Sequence, residues 1–157
     1  MQKKITTFLT FDDQAEEAVN FYTSIFDDSR VTSTRRYGDA GPGPKSSVMT
    51  AAFELEGQRF TVLNGGPQFK FTEAVSFVVN CETQEEVDHL WDKLGEGGQT
   101  QQCGWLKDKF GLSWQIVPVK LMTLMSDPDP AKAARVTQAM LKMQKLDVAT
   151  LERAAAA

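Results

Sequence analysis

Residues 103–118 read Cys-Gly-Trp-Leu-Lys-Asp-Lys-Phe-Gly-Leu-Ser-Trp-Gln-Ile-Val-Pro, a charged turn followed by an alternating apolar strand. Successive side chains of a strand point to opposite faces of its sheet. The strand at residues 112–117 therefore places Trp114 and Ile116 on one face, and the other face receives Ser113, Gln115 and Val117. Gln115 puts an amide on a face that would otherwise be apolar, which makes it a candidate binding residue.

The chain contains an internal repeat. A shift of 69 residues lays Phe8 on Phe77 and keeps the helical pattern that follows aligned with its counterpart, which chance matching rarely does. Each half is therefore predicted to begin with a strand followed by a helix. The two strands, at residues 5–11 and 74–80, consist mainly of β-branched and aromatic residues.

Two capping patterns predict where these helices begin. Asp13 with Glu16, and Thr83 with Glu86, have the spacing of a capping box, in which each side chain satisfies a backbone N–H of the first turn. Apolar residues then recur at helical spacing, at positions 15, 18, 19, 22, 25 and 26 and at positions 87, 90, 91 and 94. Gly95 is the predicted left-handed cap of the second helix. Both helices are expected to pack on a sheet.

The remainder of each half is predicted to form strands. These are residues 30–37, 47–55 and 59–63 in the first half, and shorter pieces near 99–106 and 112–117 in the second. Glu56-Gly57-Gln58 is a predicted hairpin turn, and a shift of 54 residues aligns Gly57 with Gly111. Because this shift is smaller than 69, the second half has lost residues, which correspond to the loop at 38–44.

The Gln115 strand and the two βαβββ halves together resemble the vicinal-oxygen-chelate superfamily, which includes glyoxalase, bleomycin-resistance protein and extradiol dioxygenase, and specifically its PhnB-like branch. The resemblance covers roughly residues 4–118. It implies an α+β fold in which two tandem βαβββ modules form a curved eight-stranded mixed sheet around a cleft, followed by a C-terminal helical extension. We expect one domain over residues 1–157, with modules at about 4–64 and 73–118 and helices at about 119–150.

The resemblance also implies four metal-ligand positions, which metal enzymes of the superfamily typically fill with His or Gln, Glu, His and Glu. Carried over, these positions are Thr7, Thr61, Ser76 and Gln115. Hydroxyls and an amide lack the anionic oxygens and imidazole nitrogens that hold catalytic Zn²⁺, Ni²⁺ or Fe²⁺. The chain is therefore predicted to bind no metal and to use no other cofactor.

Members of this branch are often labelled 3-demethylubiquinone 3-methyltransferases. Two βαβββ modules do not provide the doubly wound parallel sheet and adenosyl pocket that a methyltransferase ordinarily needs. No Gly-x-Gly-x-x-Gly follows a predicted strand, so no nucleotide or S-adenosylmethionine site of the usual type is predicted.

Strand alternation predicts which side chains face the cleft. The face covered by helices is expected to hold Phe8, Phe60, Val62, Phe77, Trp114 and Ile116. The predicted ligand-binding cleft consists of Thr7, Leu9, Thr61, Leu63, Ser76, Val78, Cys103, Trp105 and Gln115. An aliphatic cleft oriented by a few polar groups is typical of small-molecule binding.

No catalytic residue is assigned from the sequence. The single histidine, His89, points away from the apolar stripe of its helix and is expected at the surface. Cys103 would become a reactive thiol if nearby lysines lowered its pKa, whereas Asp108 is first a turn residue. The sequence favours a metal-free small-molecule binding or sequestering protein. The alternative is an enzyme acting on a small metabolite through a nonstandard metal set or through Cys103 with Asp108.

Composition limits the remaining classes of function. A chain of 157 residues with 41% hydrophobic and 24% charged residues can bury one core and lacks a run of apolar residues long enough to span a membrane. A net charge of -4 removes the basic footprint of nucleic-acid binding. We expect a cytoplasmic protein with two reduced thiols, because Cys81 and Cys103 have no metal-binding or disulfide spacing.

The segment after Pro118 differs from both halves. Asp129 before Pro130 predicts a helix start, and the helix places an apolar stripe at Val136, Met140, Met143 and Leu146. This stripe is expected to dock on the chain's own sheet or on a partner subunit. The tail at residues 151–157 is expected to fray, and the protein is expected to be a homodimer that binds a small-molecule ligand.

Overall fold

The computed structural model describes residues 3–157, and the chain divides into two compact units, one ending at Lys70 and the other beginning at Phe71. Each unit contains one four-stranded mixed sheet. The predicted tandem βαβββ modules and C-terminal helices are confirmed, with the eight strands divided between the two sheets. The grouping of both modules in one domain stays a prediction.

The first unit contains four strands and one helix. They are β1 (Thr7–Phe11), α1 (Ala15–Ile25), β2 (Ser29–Arg36), β3 (Val48–Leu55) and β4 (Gln58–Asn64). The strand order is β1-β4-β3-β2, with β1 parallel to β4 and the other pairs antiparallel. Helix α1 packs on the sheet through Tyr22, whose ring stacks on Phe53 at 6.2 Å between centroids.

The second unit repeats this arrangement and adds three helices. Its elements are β5 (Ser76–Cys81), α2 (Gln84–Gly95), β6 (Gln99–Thr100), β7 (Trp105–Lys107), β8 (Ser113–Pro118), α3 (Val119–Met125), α4 (Pro130–Leu141) and α5 (Val148–Ala156). The strand order is β5-β8-β7-β6, with β5 parallel to β8. The short turn between β6 and β7 replaces the long loop between β2 and β3, as the two sequence shifts predict.

One of the two predicted capping boxes forms. Thr83 accepts a hydrogen bond from the Glu86 N–H at 3.2 Å, and the Glu86 carboxylate accepts one from the Glu82 N–H at 2.7 Å. The Asp13–Glu16 box was wrong, because α1 has no side-chain cap at its N-cap residue. Instead the Asn64 carboxamide oxygen at the end of β4 accepts the Ala15 N–H at 2.8 Å. A tertiary neighbour thus replaces the local cap.

The predicted glycine cap of α2 was also wrong by two residues. Gly95 is the last residue of the helix, and Gly97 takes the left-handed conformation with φ of 74°. The hairpin turn is confirmed, since Glu56 and Gly57 both have positive φ, as a tight turn of the type I′ class requires.

The C-terminal helices form a second apolar cluster within the second unit. The stripe prediction is confirmed: Val136 and Leu146 are fully buried, and Met140 and Met143 pack against them. This cluster also contains Val117 of β8, so the extension docks on its own sheet. Asp129 caps α4 by accepting the Ala131 N–H at 3.0 Å.

The prediction of a frayed tail was wrong. Helix α5 extends to Ala156, beyond the predicted helical boundary at residue 150, because Leu151 and Ala155 are buried in the same cluster. Arg135 also donates hydrogen bonds of 3.0 Å to the Ala154 and Ala155 carbonyls. The end of α5 is therefore fixed by packing and by capping from α4.

Candidate functional site

Strand β8 separates its side chains as the sequence predicts. Trp114 and Ile116 are buried, and Trp114 is paired in register with Phe77 of β5 and Leu106 of β7. We call this side, on which α2 packs, the helix-covered face of the second sheet. We call the opposite side its open face. By register it holds Ser76, Val78, Asn80, Gln99, Trp105, Lys107, Ser113, Gln115 and Val117.

Gln115 and Ser76 are joined on this open face. The Gln115 amide nitrogen donates a 2.9 Å hydrogen bond to the Ser76 hydroxyl across the parallel β5–β8 pair. Trp105 is the register partner of Gln115 on the other neighbouring strand, and Val78 is its partner on β5. Four residues that the sequence assigns to a binding site are therefore adjacent on one surface.

The two ends of the open face are less available to a ligand. Ser113 is fully buried, and its hydroxyl has no hydrogen-bond partner within residues 3–157. Lys107 forms a 2.5 Å ion pair with Glu73, and this hydrogen bond holds the pKa of the Glu73 carboxyl below its ordinary value. Val117 at the other end is covered by the C-terminal cluster. The accessible polar groups lie between these ends.

Asp108 has a structural role that the sequence did not reveal. It is 3% exposed, and one carboxylate oxygen accepts the Phe110 and Leu112 N–H groups at 2.9 and 3.1 Å. The other oxygen accepts the Trp114 indole N–H at 2.9 Å. The prediction of a turn residue is therefore confirmed. The additional bond to Trp114 depends on the fold of the strand six residues later, which no local pattern shows.

Cys103 lies away from Gln115, in the turn before β7. It has positive φ of 59°, its N–H donates to the Met143 carbonyl at 2.8 Å, and its thiol lies 3.8 Å from the Met140 carbonyl. The connection after α4 therefore holds this residue. Cys103 and Asp108 are each engaged with other partners, so the structure gives no observation that favours their catalytic pairing.

The first sheet presents a different set of residues from the predicted one. Thr61 and Leu63 alternate with the buried Phe60 and Val62, as predicted. The prediction for β1 was wrong. Its parallel register pairs Leu9 with Val62 on the helix-covered face, and it pairs Phe8 with Thr61 on the open face.

Burial agrees with this register. Leu9 is 6% exposed, whereas Phe8 is 56% exposed. Thr7 shares its face with Phe60, so the position beside Thr61 belongs to Phe8 and not to Thr7. Three of the four carried-over positions, Thr61, Ser76 and Gln115, therefore lie on an open face, and Thr7 does not.

The open-face side chains do not fit a catalytic metal ion. Those at or beside the carried-over positions are the aromatic ring of Phe8, two hydroxyls and one carboxamide. Such groups lack the charge and basicity that transition-metal ligands need. Within residues 3–157, no three His, Cys, Asp or Glu side chains lie close enough together to hold an ion. His89 is exposed on α2, as predicted.

No helix among residues 3–157 combines the length and the apolar character needed to span a membrane.

The geometry defines a protein of the vicinal-oxygen-chelate class, with tandem βαβββ modules and a binding surface on the open side of a sheet. Its family model, described as 3-demethylubiquinone-9 3-methyltransferase, matches residues 3–117. The chain belongs to this PhnB-like family. Comparison with curated proteins finds no match.

Solved structures agree with this assignment. A putative 3-demethylubiquinone-9 3-methyltransferase, PhnB protein, from Bacillus cereus is 43% identical, with a TM-score of 0.70 over 74% of this chain and 100% of that chain. Protein PA1353 from Pseudomonas aeruginosa is 21% identical, with a TM-score of 0.64 over 74% of this chain and 98% of that one. The fosfomycin resistance protein FosX from Listeria monocytogenes, complexed with Mn(II) and sulfate, shares the fold at 12% identity and a TM-score of 0.51, over 75% of this chain and 91% of that one.

These matches leave the C-terminal helices outside the shared part. The family model ends at residue 117, and the whole Bacillus cereus chain corresponds to 74% of this one. Helices α3 to α5 are therefore an addition to the region that these relatives share.

Proposed function

We propose that this protein binds or sequesters a small molecule without a metal ion, and that the open face of the second sheet orients the ligand. The observation that supports this proposal most strongly is the Gln115–Ser76 hydrogen bond beside Trp105 and Val78. It fixes the amide in one orientation while leaving the carboxamide oxygen on a partly exposed side chain. A few fixed polar groups among apolar side chains suit specific binding.

The first sheet contributes to this proposal through Thr61 and Leu63, which lie on its open face beside Phe8. Thr7 and Leu9 are not included, because they lie on the helix-covered face. Cys103 is also outside the proposed contact set. Its turn is instead the support from which Trp105 enters β7.

Methyl transfer is not part of the proposal. Each sheet combines one parallel pair with antiparallel pairs, whereas the usual adenosyl and dinucleotide sites lie at the switch point of a doubly wound parallel sheet. The description of the family and of its Bacillus cereus member therefore names an activity for which these sheets provide no usual cofactor site.

A thermal-shift screen of small molecules, paired with elemental analysis, tests the proposal. We expect at least one compound to raise the melting temperature of the wild-type protein, with well below one equivalent of Zn, Ni, Fe or Mn per chain. Gln115→Leu is expected to weaken binding of that compound by about 1–3 kcal/mol, because its polar partner would be left unpaired. Stoichiometric metal, or unchanged binding by the variant, would contradict the proposal.

We also propose that the protein is a cytoplasmic homodimer. Phe8 and Val78, each on the open face of its own sheet, are 56% and 50% exposed. Exposed apolar side chains of this size favour association through an apolar patch. Light scattering at micromolar concentration tests the assembly, and a mass of 17.4 kDa would contradict it.

A further inference from the structure

We infer that the ligand is a compact, uncharged, planar molecule with a hydrogen-bond donor beside an acceptor, the chemistry of a primary carboxamide, lactam or urea. This inference rests on the proposed function and specifies its ligand class. Three features of the open face of the second sheet lead to it: the hydrogen-bonding groups that remain available, the arrangement of charge, and the distance between its closed ends.

The available polar groups form a complementary pair. The Gln115 amide nitrogen is engaged with Ser76, and the Gln115 carboxamide oxygen has no partner within the described residues 3–157. The Trp105 indole N–H likewise has no hydrogen-bond partner in that range. Gln115 therefore offers an acceptor and Trp105 offers a donor, on register partners of adjacent strands. A ligand that presents both an N–H and a C=O can satisfy both.

The charge on this face is already compensated. Lys107 is the one charged residue among the open-face positions of β5 to β8, and it is paired with Glu73. An anionic ligand would compete with Glu73 for Lys107 and would meet the Gln115 carboxamide oxygen, a second acceptor. A cationic ligand would meet the Trp105 N–H without an acceptor. Unpaired charges and polar groups cost binding energy, so an uncharged ligand is favoured.

The size of the ligand is limited by the ends of the face. Ser113 is buried at one end, and Val117 is covered by the C-terminal cluster at the other. These two residues are four strand steps apart, which corresponds to about 13 Å. A molecule of one or two rings, lying against Trp105 and Val78, fits between them.

The C-terminal extension contributes to this limit through two contacts. The Gly104 N–H donates to the Gln144 carbonyl at 2.8 Å, as Cys103 does to Met143, and Leu146 packs within the cluster that covers Val117. Gly104 has φ of 81° and lies so close to Leu146 that a Cβ atom there would be 3.0 Å from the leucine Cδ1. The extension thus fixes the turn before Trp105 and closes one end of the face.

Three ring compounds of equal size and different charge test the inference: benzamide, benzoate and benzylamine. Binding is followed by ¹⁵N NMR through the Gln115 side-chain amide and the Trp105 indole N–H. We expect benzamide to shift both signals and to bind at least about tenfold more tightly than benzoate or benzylamine, a difference of one tenfold step in Kd. Stronger or equal binding of benzoate would overturn the ligand class.

Charge variants provide the matched control. Gln115→Glu keeps the shape of the side chain, and its charge is expected to reverse the preference in favour of benzylamine. Asn80→Asp adds the same charge at an exposed amide of β5, beside Val117, and should leave the preference unchanged. A reversal by both variants would show a general charge effect and would overturn the inference.

Failure of the ligand class and failure of the proposed function give different results. If a charged compound from a wider screen shifts the Gln115 and Trp105 signals more strongly than any carboxamide, the class is wrong and the binding site stands. If no compound of any charge shifts these two signals, the proposed function is overturned as well.

Discussion

The first strands of the two sheets differ in which face their aromatic residue occupies. Both β1 and β5 pair in parallel with the last strand of their module. Phe77 of β5 lies against Trp114 on the helix-covered face at 5.6 Å between ring centroids, whereas Phe8 of β1 lies beside Thr61 on the open face. The strand counterpart of Phe77 is Thr7, since Thr7 pairs with Phe60 and Phe77 with Trp114.

The connection after each strand explains this difference. Three residues separate β1 from α1, at positions 12–14, whereas two residues separate β5 from α2, at positions 82–83. The helices therefore align at a shift of 69 residues and the strands at a shift of 70. Because strand faces alternate at every residue, a single inserted residue exchanges the faces of the whole strand. A repeat can keep its helix alignment and lose its strand alignment.

The largest effect is expected from Trp114→Ala in the second sheet. This change removes a ring packed on Phe77 and leaves the buried Asp108 carboxylate without its indole partner. We expect a loss of about 3–5 kcal/mol in the free energy of unfolding, measured by circular dichroism in denaturant. Gln115→Leu, one residue away on the open face, is the control and should retain the wild-type unfolding midpoint. The reverse result would mean that the faces of β8 are exchanged.

A second pair of variants tests the C-terminal cluster that the first sheet does not have. Leu146 is fully buried, so Leu146→Ala is expected to cost about 2–5 kcal/mol of unfolding free energy. Leu141→Ala changes the same residue type at 59% exposure and should stay within about 0.5 kcal/mol of wild type. Equal losses in denaturant unfolding would show that burial in this cluster does not stabilise the second sheet.

The exchange of faces in β1 has its own test. Leu9→Ala is expected to cost about 2–3 kcal/mol, because it removes a buried side chain from the helix-covered face. Phe8→Ala removes a larger but exposed side chain and should cost less than about 1 kcal/mol. Denaturant midpoints of the two variants decide the register. A greater loss for Phe8→Ala would restore the 69-residue strand alignment.

The smallest effect concerns thiol reactivity at the end of β5. Burial raises the pKa of Cys81 to about 12, so its thiol stays protonated and inaccessible at pH 8. Cys103 is partly exposed. Mass spectrometry after brief alkylation should therefore show one modified thiol in the native protein and two after unfolding. Cys103→Ser should abolish the native reaction, and rapid modification of that variant would contradict the burial of Cys81.

Local patterns were sufficient for the elements and for β8. Strict alternation from Ser113 to Val117 predicted both of its faces, and the Thr83–Glu86 spacing predicted a cap that forms within four residues of chain. The pattern in β1 was ambiguous because Phe8, Leu9 and Phe11 supply apolar side chains to both faces. Hydrophobicity alone cannot orient such a strand, so the repeat alignment decided the prediction and was one residue out.

The site shows the same division. The sequence identified Gln115, Ser76, Val78 and Trp105, because alternation and the repeat each depend on neighbours along the chain. Their adjacency is set by strand pairing, as are the bond between Asp108 and Trp114 and the cap of α1 by Asn64. The sequence by itself therefore determined the family, the order of strands and helices and the faces of the clearly alternating strands. Only the tertiary structure decided the register of β1, the burial of α5 and which polar groups remain available to a ligand, because each depends on groups that are distant in sequence.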